Sequence, residues 1–149
     1  MKLKQLSIFL ENAPDRLYDA TFALGTAGIN LRSLSICDTF EFGVLRILVS
    51  DINQARRVLM EKQFPARVDD VVAAEIDDRP GSLAAVLSLF RGSQININYM
   101  YALAGTGVSA SKAVMIFHFS DNDRAIEILR KNKIKILDAK DFGIIESAR

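Results

Sequence analysis

Apolar residues recur along this 149-residue chain at two spacings, one typical of strands and one typical of helices. In "ININYMYAL", which begins at Ile95, alternate positions are apolar or aromatic, which is the periodicity of a β-strand. In "PGSLAAVLSLFRGSQ", apolar residues recur at i, i+3, i+4 and i+7 and predict one buried helix face: Leu83, Val86, Leu87 and Phe90. The chain therefore combines strands and helices.

The second half of the chain predicts the order strand, helix, strand, strand, helix, strand. "VVAAEI" precedes the helix above, and "KAVMIFHFS" and "IKILDA" are further short apolar runs. "DNDRAIEILRK" predicts another helix, with Asp121 as N-cap and a buried stripe of Ala125, Ile128 and Leu129. The segment "GTGVSAS", residues 105–111, predicts a flexible hairpin connection between two strands.

The first half repeats this order. Pro14 and Pro80 are 66 positions apart, and the same offset relates "INL" at Ile29 to "INI" at Ile95. "SDINQARRVL" and "SDNDRAIEIL" are related by an offset of 70, so the second copy contains four additional residues. Two collinear copies indicate the duplication of one unit. The predicted helix stripes of the first copy are Leu17, Ala20, Thr21 and Leu24, and then Ala55, Val58 and Leu59.

These elements predict an α+β fold of two ferredoxin-like βαββαβ units side by side. Each unit would place both helices on one face of a four-stranded antiparallel sheet. We predict domains at 1–70 and 71–149, with no Gly, Ser or Pro linker between them, so the last strand of the first unit should run into the second unit and make a rigid pair. Apolar positions on the uncovered sheet face predict a homodimer.

Composition excludes several classes of protein. The net charge of +1 is spread without a basic stripe, which argues against nucleic acid and anionic membrane as partners. Cys37 is the only cysteine and His118 the only histidine, so neither an internal disulfide nor a thiolate-rich metal site is expected. With no apolar run of transmembrane length, we predict a cytoplasmic protein.

A short motif precedes the first helix of each copy, "ENAPDRL" at Glu11 and "DDRPGSL" at Asp77. With the Ile-Asn-Ile run that enters the second strand, this order makes "EIDDRPGSLAAVLSLFRGSQININYMYAL" similar to an ACT domain, and the whole chain resembles a stand-alone tandem ACT protein. The resemblance implies a free amino acid bound between ACT units, commonly to regulate an attached or associated metabolic enzyme. It also implies that units join edge to edge through their second strands.

The chemistry of the motif agrees with a zwitterionic ligand. A helix N-terminus carries roughly half a positive charge and favours a carboxylate. Gly81 lacks a side chain, which would let a ligand approach the backbone, and Asp77 or Asp78 would accept from the ammonium group. If the second strands pair, Asn30 faces the 77–81 loop and Asn96 faces the 11–15 loop, so each site is composite.

The two predicted sites are not equivalent. Asp15 stands where the second copy has Gly81, and its carboxylate would repel a ligand carboxylate. We therefore rank the second-copy site above the first-copy site. The residues of the former are Asp77, Asp78, Arg79, Gly81 and Asn30, and those of the latter are Glu11, Asn12, Ala13 and Asn96.

Alternative interpretations remain open from sequence. Asp78 and Asn12 are also typical helix caps, and Asn30 and Asn96 are typical turn residues. The chain has no nucleophile-base motif and no phosphate-binding glycine loop, so we expect neither catalysis nor a cofactor. A non-catalytic subunit that docks on a metabolic enzyme, with a vestigial ligand site, is the main alternative. RNA binding on the open sheet face is a weaker one, because the charge is near neutral.

Overall fold

A computed structural model of the chain describes residues 1–38, 42–103 and 111–145. The strands are β1 (Leu3–Glu11), β2 (Leu31–Asp38), β3 (Phe42–Val49), β4 (Ala66–Asp77), β5 (Ile97–Leu103), β6 (Lys112–Phe119) and β7 (Lys135–Leu137). The helices are α1 (Arg16–Thr26), α2 (Ile52–Glu61), α3 (Ser82–Ser88) and α4 (Asn122–Lys131), and a short 3-10 helix covers Lys140–Phe142. The predicted α+β fold of repeated βαββαβ order is confirmed. The predicted hairpin at 105–111 lies, apart from its last residue, outside the described residues.

The chain divides into two compact units. The first unit contains Lys4–Asp69 and the segment from Ala139 on, and the second unit contains Met1–Leu3 and Asp70–Asp138. The division within the chain falls inside β4, which is one continuous 12-residue strand, as the absence of a linker predicted. Residues 1–3 thus group with the second unit, and the residues from Ala139 on group with the first. The domain boundaries at 1–70 and 71–149 follow from the sequence repeat and stay a prediction.

In the first unit the strand order is β2-β3-β1-β4, with antiparallel pairing of β2 with β3 and of β3 with β1. Both helices bury their apolar stripes against the same sheet face, because Ala20 and Leu24 of α1 and Ala55 and Leu59 of α2 share one core. The sheet contributes alternate residues of β1 and β3 to this core: Leu6, Ile8, Leu10, Leu45, Ile47 and Val49.

The second unit repeats the arrangement with the strand order β7-β4-β6-β5, and all three of its strand pairs are antiparallel. Its core contains Val86 of α3, Ala125 and Leu129 of α4, and alternate residues of the strands, namely Val72, Ala74, Ile76, Met115, Phe117 and Phe119. Each unit is therefore a ferredoxin-like sheet with two helices on one face. None of the described helices is both long enough and apolar enough to cross a membrane.

Three local predictions were wrong. Leu17 is 43% exposed, because it lies in the first turn of α1 and burial begins only at Ala20. The helix from Ser82 ends at Ser88, where bonds such as Phe90 N–H to the Leu87 carbonyl tighten the chain into 3-10-type turns that still bury Phe90. Strand β5 begins at Ile97, and an irregularity before Tyr99 shifts its register.

The first unit's sheet face that points away from its helices contains buried polar groups. Ser7 Oγ donates to Asp69 Oδ2 at 2.6 Å, and Arg67 Nε donates to Asp69 Oδ1 at 2.8 Å. Gln5 is also fully buried on this face. Leu48 is fully buried on this face as well, since its neighbours Ile47 and Val49 lie in the helix-side core, so the face is partly apolar and the predicted homodimer stays a prediction.

Candidate functional site

The loop from Asp77 to Gly81 joins the end of β4 to α3 in the second unit. Asp77 accepts from Lys112 Nζ through Oδ1 and from Arg79 Nη2 through Oδ2, both at 2.5 Å. The hydrogen bond from Lys112, followed by that from Arg79, holds the pKa of Asp77 below its ordinary value. A carboxylate and two cations thus meet at the surface where the sequence predicted a ligand.

A cavity of about 330 Å³ lies beside this loop and is lined by the second unit alone. Its volume is at the lower end of the range for small-ligand pockets, roughly 300–1,000 Å³. The predicted residues Asp77 and Arg79 line it. The other lining residues are Glu75, Ile76, Ser82, Ala85, Val86, Lys112, Lys133, Ile134 and Lys135.

The lysines of this cavity were missed by the sequence analysis. Strand register brings two of the three lysines to the site, because Asp77 pairs with Lys112 across β4 and β6, and Glu75 pairs with Lys135 across β4 and β7. Lys135 Nζ donates to Glu75 Oε2 at 3.2 Å. No spacing in the sequence marks these pairs, and only the antiparallel register could have predicted them.

Gly81 has a conformational role that the sequence interpretation did not include. It is the residue before α3, with φ +86°, and nothing lies within 4 Å of a Cβ added there. Left-handed backbone favours glycine, yet Asp15 adopts the same conformation before α1 with φ +68°. The side chain at this position therefore differs between the repeats while the backbone does not. The Asp78 side chain is exposed. The backbone N–H of Asp78 donates to the Ser111 carbonyl, which extends the hydrogen bonding between β4 and β6 by one residue.

The first-unit loop has a different neighbourhood. The side chains of Glu11, Asn12 and Ala13 are exposed, and Ala13 N–H donates to the Glu11 carbonyl. Arg16, the counterpart of Ser82, lies over the Phe64 ring at 4.6 Å. Arg16 and Phe64 line a cavity of about 510 Å³ between α1 and α2. Its lining has two negative side chains, Asp19 and Glu61, and two positive ones, Arg16 and Lys62, so its net charge is zero.

Asn30 and Asn96 occupy equivalent corners. Asn30 N–H donates to Ser50 Oγ and its carbonyl accepts from Ser50 N–H, each at 2.9 Å. Asn96 and Ser120 repeat this exchange at 3.0 and 2.9 Å. Ser50 and Ser120 were missed, although the repeated "SD" marks them. Both asparagine side chains are exposed, so these backbone bonds leave the amides available.

The predicted pairing of the second strands with each other is not among the strand pairs of the described residues. Each second strand pairs inside its own unit, β2 with β3 and β5 with β6. β2 stands at one end of the first unit's strand order, and β5 stands at one end of the second unit's strand order. The predicted joining of Asn30 with the 77–81 loop, and of Asn96 with the 11–15 loop, stays a prediction, because none of the strand pairs formed by the described residues tests it.

The remaining reactive side chains have structural surroundings. The Asn98 amide donates to His118 Nδ1 at 2.9 Å, and the His118 ring stacks on Tyr99 with centroids 4.8 Å apart. Cys37 is an exposed free cysteine on β2. In the described part of the chain, no three His, Cys, Asp or Glu side chains cluster as a metal site would require.

A family model described as "ACT domain pair" matches residues 1–145. A solved protein structure from Bacteroides thetaiotaomicron has a TM-score of 0.88 and 36% sequence identity, covering 97% of this chain and 98% of that one. None of the curated protein sequences matched this chain.

Two more distant structures share the fold. The regulatory subunit of aspartate kinase from Thermus thermophilus, solved without ligand, has a TM-score of 0.61 at 13% identity, with 86% of this chain and 89% of that chain covered. Escherichia coli aspartokinase III, solved in complex with lysine and aspartate, has a TM-score of 0.52 at 11% identity, with 88% of this chain and 30% of that chain covered.

Proposed function

Because this chain belongs to the ACT domain pair family, we propose that it binds a free amino acid in the second-unit cavity and regulates amino-acid metabolism without catalysing a reaction. The observation that carries the proposal is the meeting of Asp77 with Arg79 and Lys112 at that cavity. A zwitterion presents one carboxylate and one ammonium group, so walls that offer both charges are complementary to it.

A ligand at this position has defined partners. Its carboxylate takes hydrogen bonds from Lys112 or Arg79, and its ammonium group donates to Asp77. These are charge-assisted bonds, which are shorter and stronger than hydrogen bonds between neutral groups. A ligand that binds one arrangement of the protein more tightly than another shifts the equilibrium toward the first, which transmits a regulatory signal. The difference in binding free energy between the two arrangements sets the size of this shift.

A panel of the twenty amino acids in a thermal-shift assay tests this proposal. A few amino acids should raise Tm, because a ligand at about 100 times its Kd stabilises the folded state by about 2.7 kcal/mol. Lys112→Gln should remove the shift. Lys2→Gln is the matched control, since Lys2 forms its ion pair with Asp123 at 3.0 Å and does not line the cavity. A panel in which no amino acid raises Tm contradicts the proposal.

The surface of α1 favours a second function, that of a non-catalytic subunit docked on a metabolic enzyme. Tyr18 and Phe22 are 62% and 58% exposed and stack with centroids 5.4 Å apart, and Leu17, the residue before Tyr18, is exposed as well. Exposed aromatic clusters of this kind are typical of protein contacts. The Thermus thermophilus structure is named as a regulatory subunit, which is in keeping with such a role. An unchanged Tm across the amino-acid panel would favour this alternative.

We further propose a homodimer in which β2 of one copy pairs with β5 of the other. Both are edge strands, and exposed apolar residues stand on them: Leu34 and Ile36 on β2 and Met100 on β5. β5 has no charged residue, whereas edge strands that avoid pairing usually have one. This pairing would bring Asn30 of the partner subunit to the 77–81 loop and complete the predicted composite site.

We place the protein in the cytoplasm, in keeping with its single cysteine, and expect neither nucleic acid nor membrane as a partner, in keeping with its net charge of +1.

A further inference from the structure

The walls of the second-unit cavity carry more positive than negative charge. Four cationic side chains line it, Arg79, Lys112, Lys133 and Lys135, against the two carboxylates of Glu75 and Asp77. At neutral pH the lining therefore has a net charge of +2. A neutral zwitterion matches one pair of these charges and leaves the excess unmatched.

The carboxylates already have partners within the protein. Asp77 is shared by Arg79 and Lys112, and Glu75 is paired with Lys135 at 3.2 Å. Lys133, in contrast, has an exposed side chain and forms no ion pair among the described residues. The surplus charge is thus located at Lys133 and at the pair of cations that share one aspartate.

The duplicated unit shows that this charge is not a requirement of the fold. Before the four additional residues the repeats are offset by 66 positions, so the counterpart of Arg79 is Ala13. After them the offset is 70, so the counterparts of Lys112, Lys133 and Lys135 are Phe42, Gln63 and Pro65. The strand register confirms one of these equivalences, since Glu11 pairs with Phe42 as Asp77 pairs with Lys112. The first unit forms the same fold without any of the four cations, so the fold itself does not require them.

We infer that the cavity selects an acidic amino acid, one that has a second carboxylate on its side chain. This inference rests on the proposed function and names the ligand class of the same site. The ammonium group of such a ligand binds Asp77, one carboxylate binds the cations that share Asp77, and the second carboxylate binds Lys133. Neutral amides of the same shape lack that last interaction.

Isothermal titration calorimetry at low ionic strength tests the ligand class. Glutamate and aspartate are compared with glutamine and asparagine, which have nearly the same shape, and with lysine. We expect the acidic member of a pair to bind roughly two- to fivefold more tightly than its amide, because the ion pair with the exposed Lys133 is screened by water. Lysine should bind most weakly.

Two variants locate the selectivity. Lys133→Gln copies the residue of the first unit and should weaken binding of the acidic ligand roughly two- to fivefold, while the Kd of the amide stays unchanged. Lys131→Gln is the matched control, because Lys131 is an exposed lysine on α4 outside the cavity lining. A preserved preference for the acid in Lys133→Gln would overturn the assignment of the second carboxylate to this residue.

The outcomes separate the inference from the proposed function. Equal binding of acid and amide, or preference for lysine, overturns the acidic ligand class and leaves amino-acid binding in place. Binding of succinate as tight as that of aspartate shows that Asp77 does not recognise an ammonium group and overturns both. A titration in which none of the five amino acids binds overturns the acidic ligand class, while the thermal-shift panel of twenty amino acids decides the proposed function.

Discussion

At the residue scale, the two repeats place different side chains on one backbone conformation. Gly81 and Asp15 both precede a helix with positive φ, so the exchange between them changes charge more than geometry. Valine at position 81 would be strained at φ +86° whether or not a ligand binds. Aspartate is the informative replacement, because Asp15 shows that this backbone accepts it.

Gly81→Asp should therefore weaken amino-acid binding in the second unit. The added carboxylate stands one residue before the cavity-lining Ser82 and repels a ligand carboxylate, which we expect to raise Kd roughly two- to fivefold. Calorimetry measures the change, and circular dichroism verifies that the fold is retained. Asp15→Gly is the control and should leave Kd unaltered. An unaltered Kd in Gly81→Asp would argue against a ligand near this loop.

The ion pairs of Asp77 predict how its contribution to stability changes with pH. Its folded-state pKa lies below the ordinary value of 3.8, so its stabilising effect is fully present above that value and is lost as pH falls through the folded-state pKa. Urea unfolding of wild type and Asp77→Asn should differ at pH 7 and converge in strong acid. A difference that grows on acidification would contradict the assigned sign.

At the scale of elements, the repeated "SD" sequence begins a helix in each unit. Asp51 accepts from Gln54 N–H and Asp121 accepts from Arg124 N–H, both at 3.0 Å, so each carboxylate caps its helix. The preceding serines, Ser50 and Ser120, accept through Oγ from the backbone N–H of Asn30 and Asn96, the residues that lead into the second strand of each unit. One dipeptide thus connects a helix and a strand entry in each repeat, which accounts for its presence in both copies.

Loss of either cap should destabilise the protein. Asp51→Ala and Asp121→Ala each remove an acceptor for a helix N–H and should lower the free energy of unfolding by about 1 kcal/mol. Urea denaturation with a constant m-value measures the loss. Asp51→Asn retains an acceptor oxygen and should stay near wild type, so equal losses in Asp51→Ala and Asp51→Asn would rule out capping as the cause.

At the scale of the whole molecule, the edge strands β2 and β5 have side chains of complementary size on the sheet face that points away from each unit's helices. β2 presents Ser33, Ser35 and Cys37 there, whereas β5 presents Tyr99, Tyr101 and Leu103. Large side chains of one edge can pack over small ones of the other, which favours pairing of β2 with β5 over pairing of β5 with itself.

The single cysteine makes this dimer testable. In a scan of Tyr99→Cys, Tyr101→Cys and Leu103→Cys, at least one variant should form a disulfide-linked dimer with Cys37 of the partner subunit after mild oxidation with diamide. Met100→Cys, on the helix side of β5, is the control and should not. Light scattering should give twice the chain mass for wild type. A monomeric wild type at micromolar concentration would contradict the dimer.

Much of the fold could be predicted from local patterns. Helix and strand periodicities are properties of neighbouring residues, and the repeat gives the order of elements twice. The α+β class was therefore correct, as was the burial of Ala20, Leu24, Ala55, Leu59, Ala125 and Leu129. Element ends were less predictable. The helix from Ser82 gives way to tighter turns before Phe90, and Leu17 stays exposed, because packing against the sheet decides both.

The sequence by itself determined that this protein is a duplicated ferredoxin-like unit and that the loop before α3 differs from its copy. Only the tertiary structure decided what stands beside that loop. Lys112 is 35 residues from Asp77, and Lys135 is 60 from Glu75, and antiparallel register brings each pair together. Register depends on the packing of whole strands against a core, so the charge of the cavity is visible only in the folded chain.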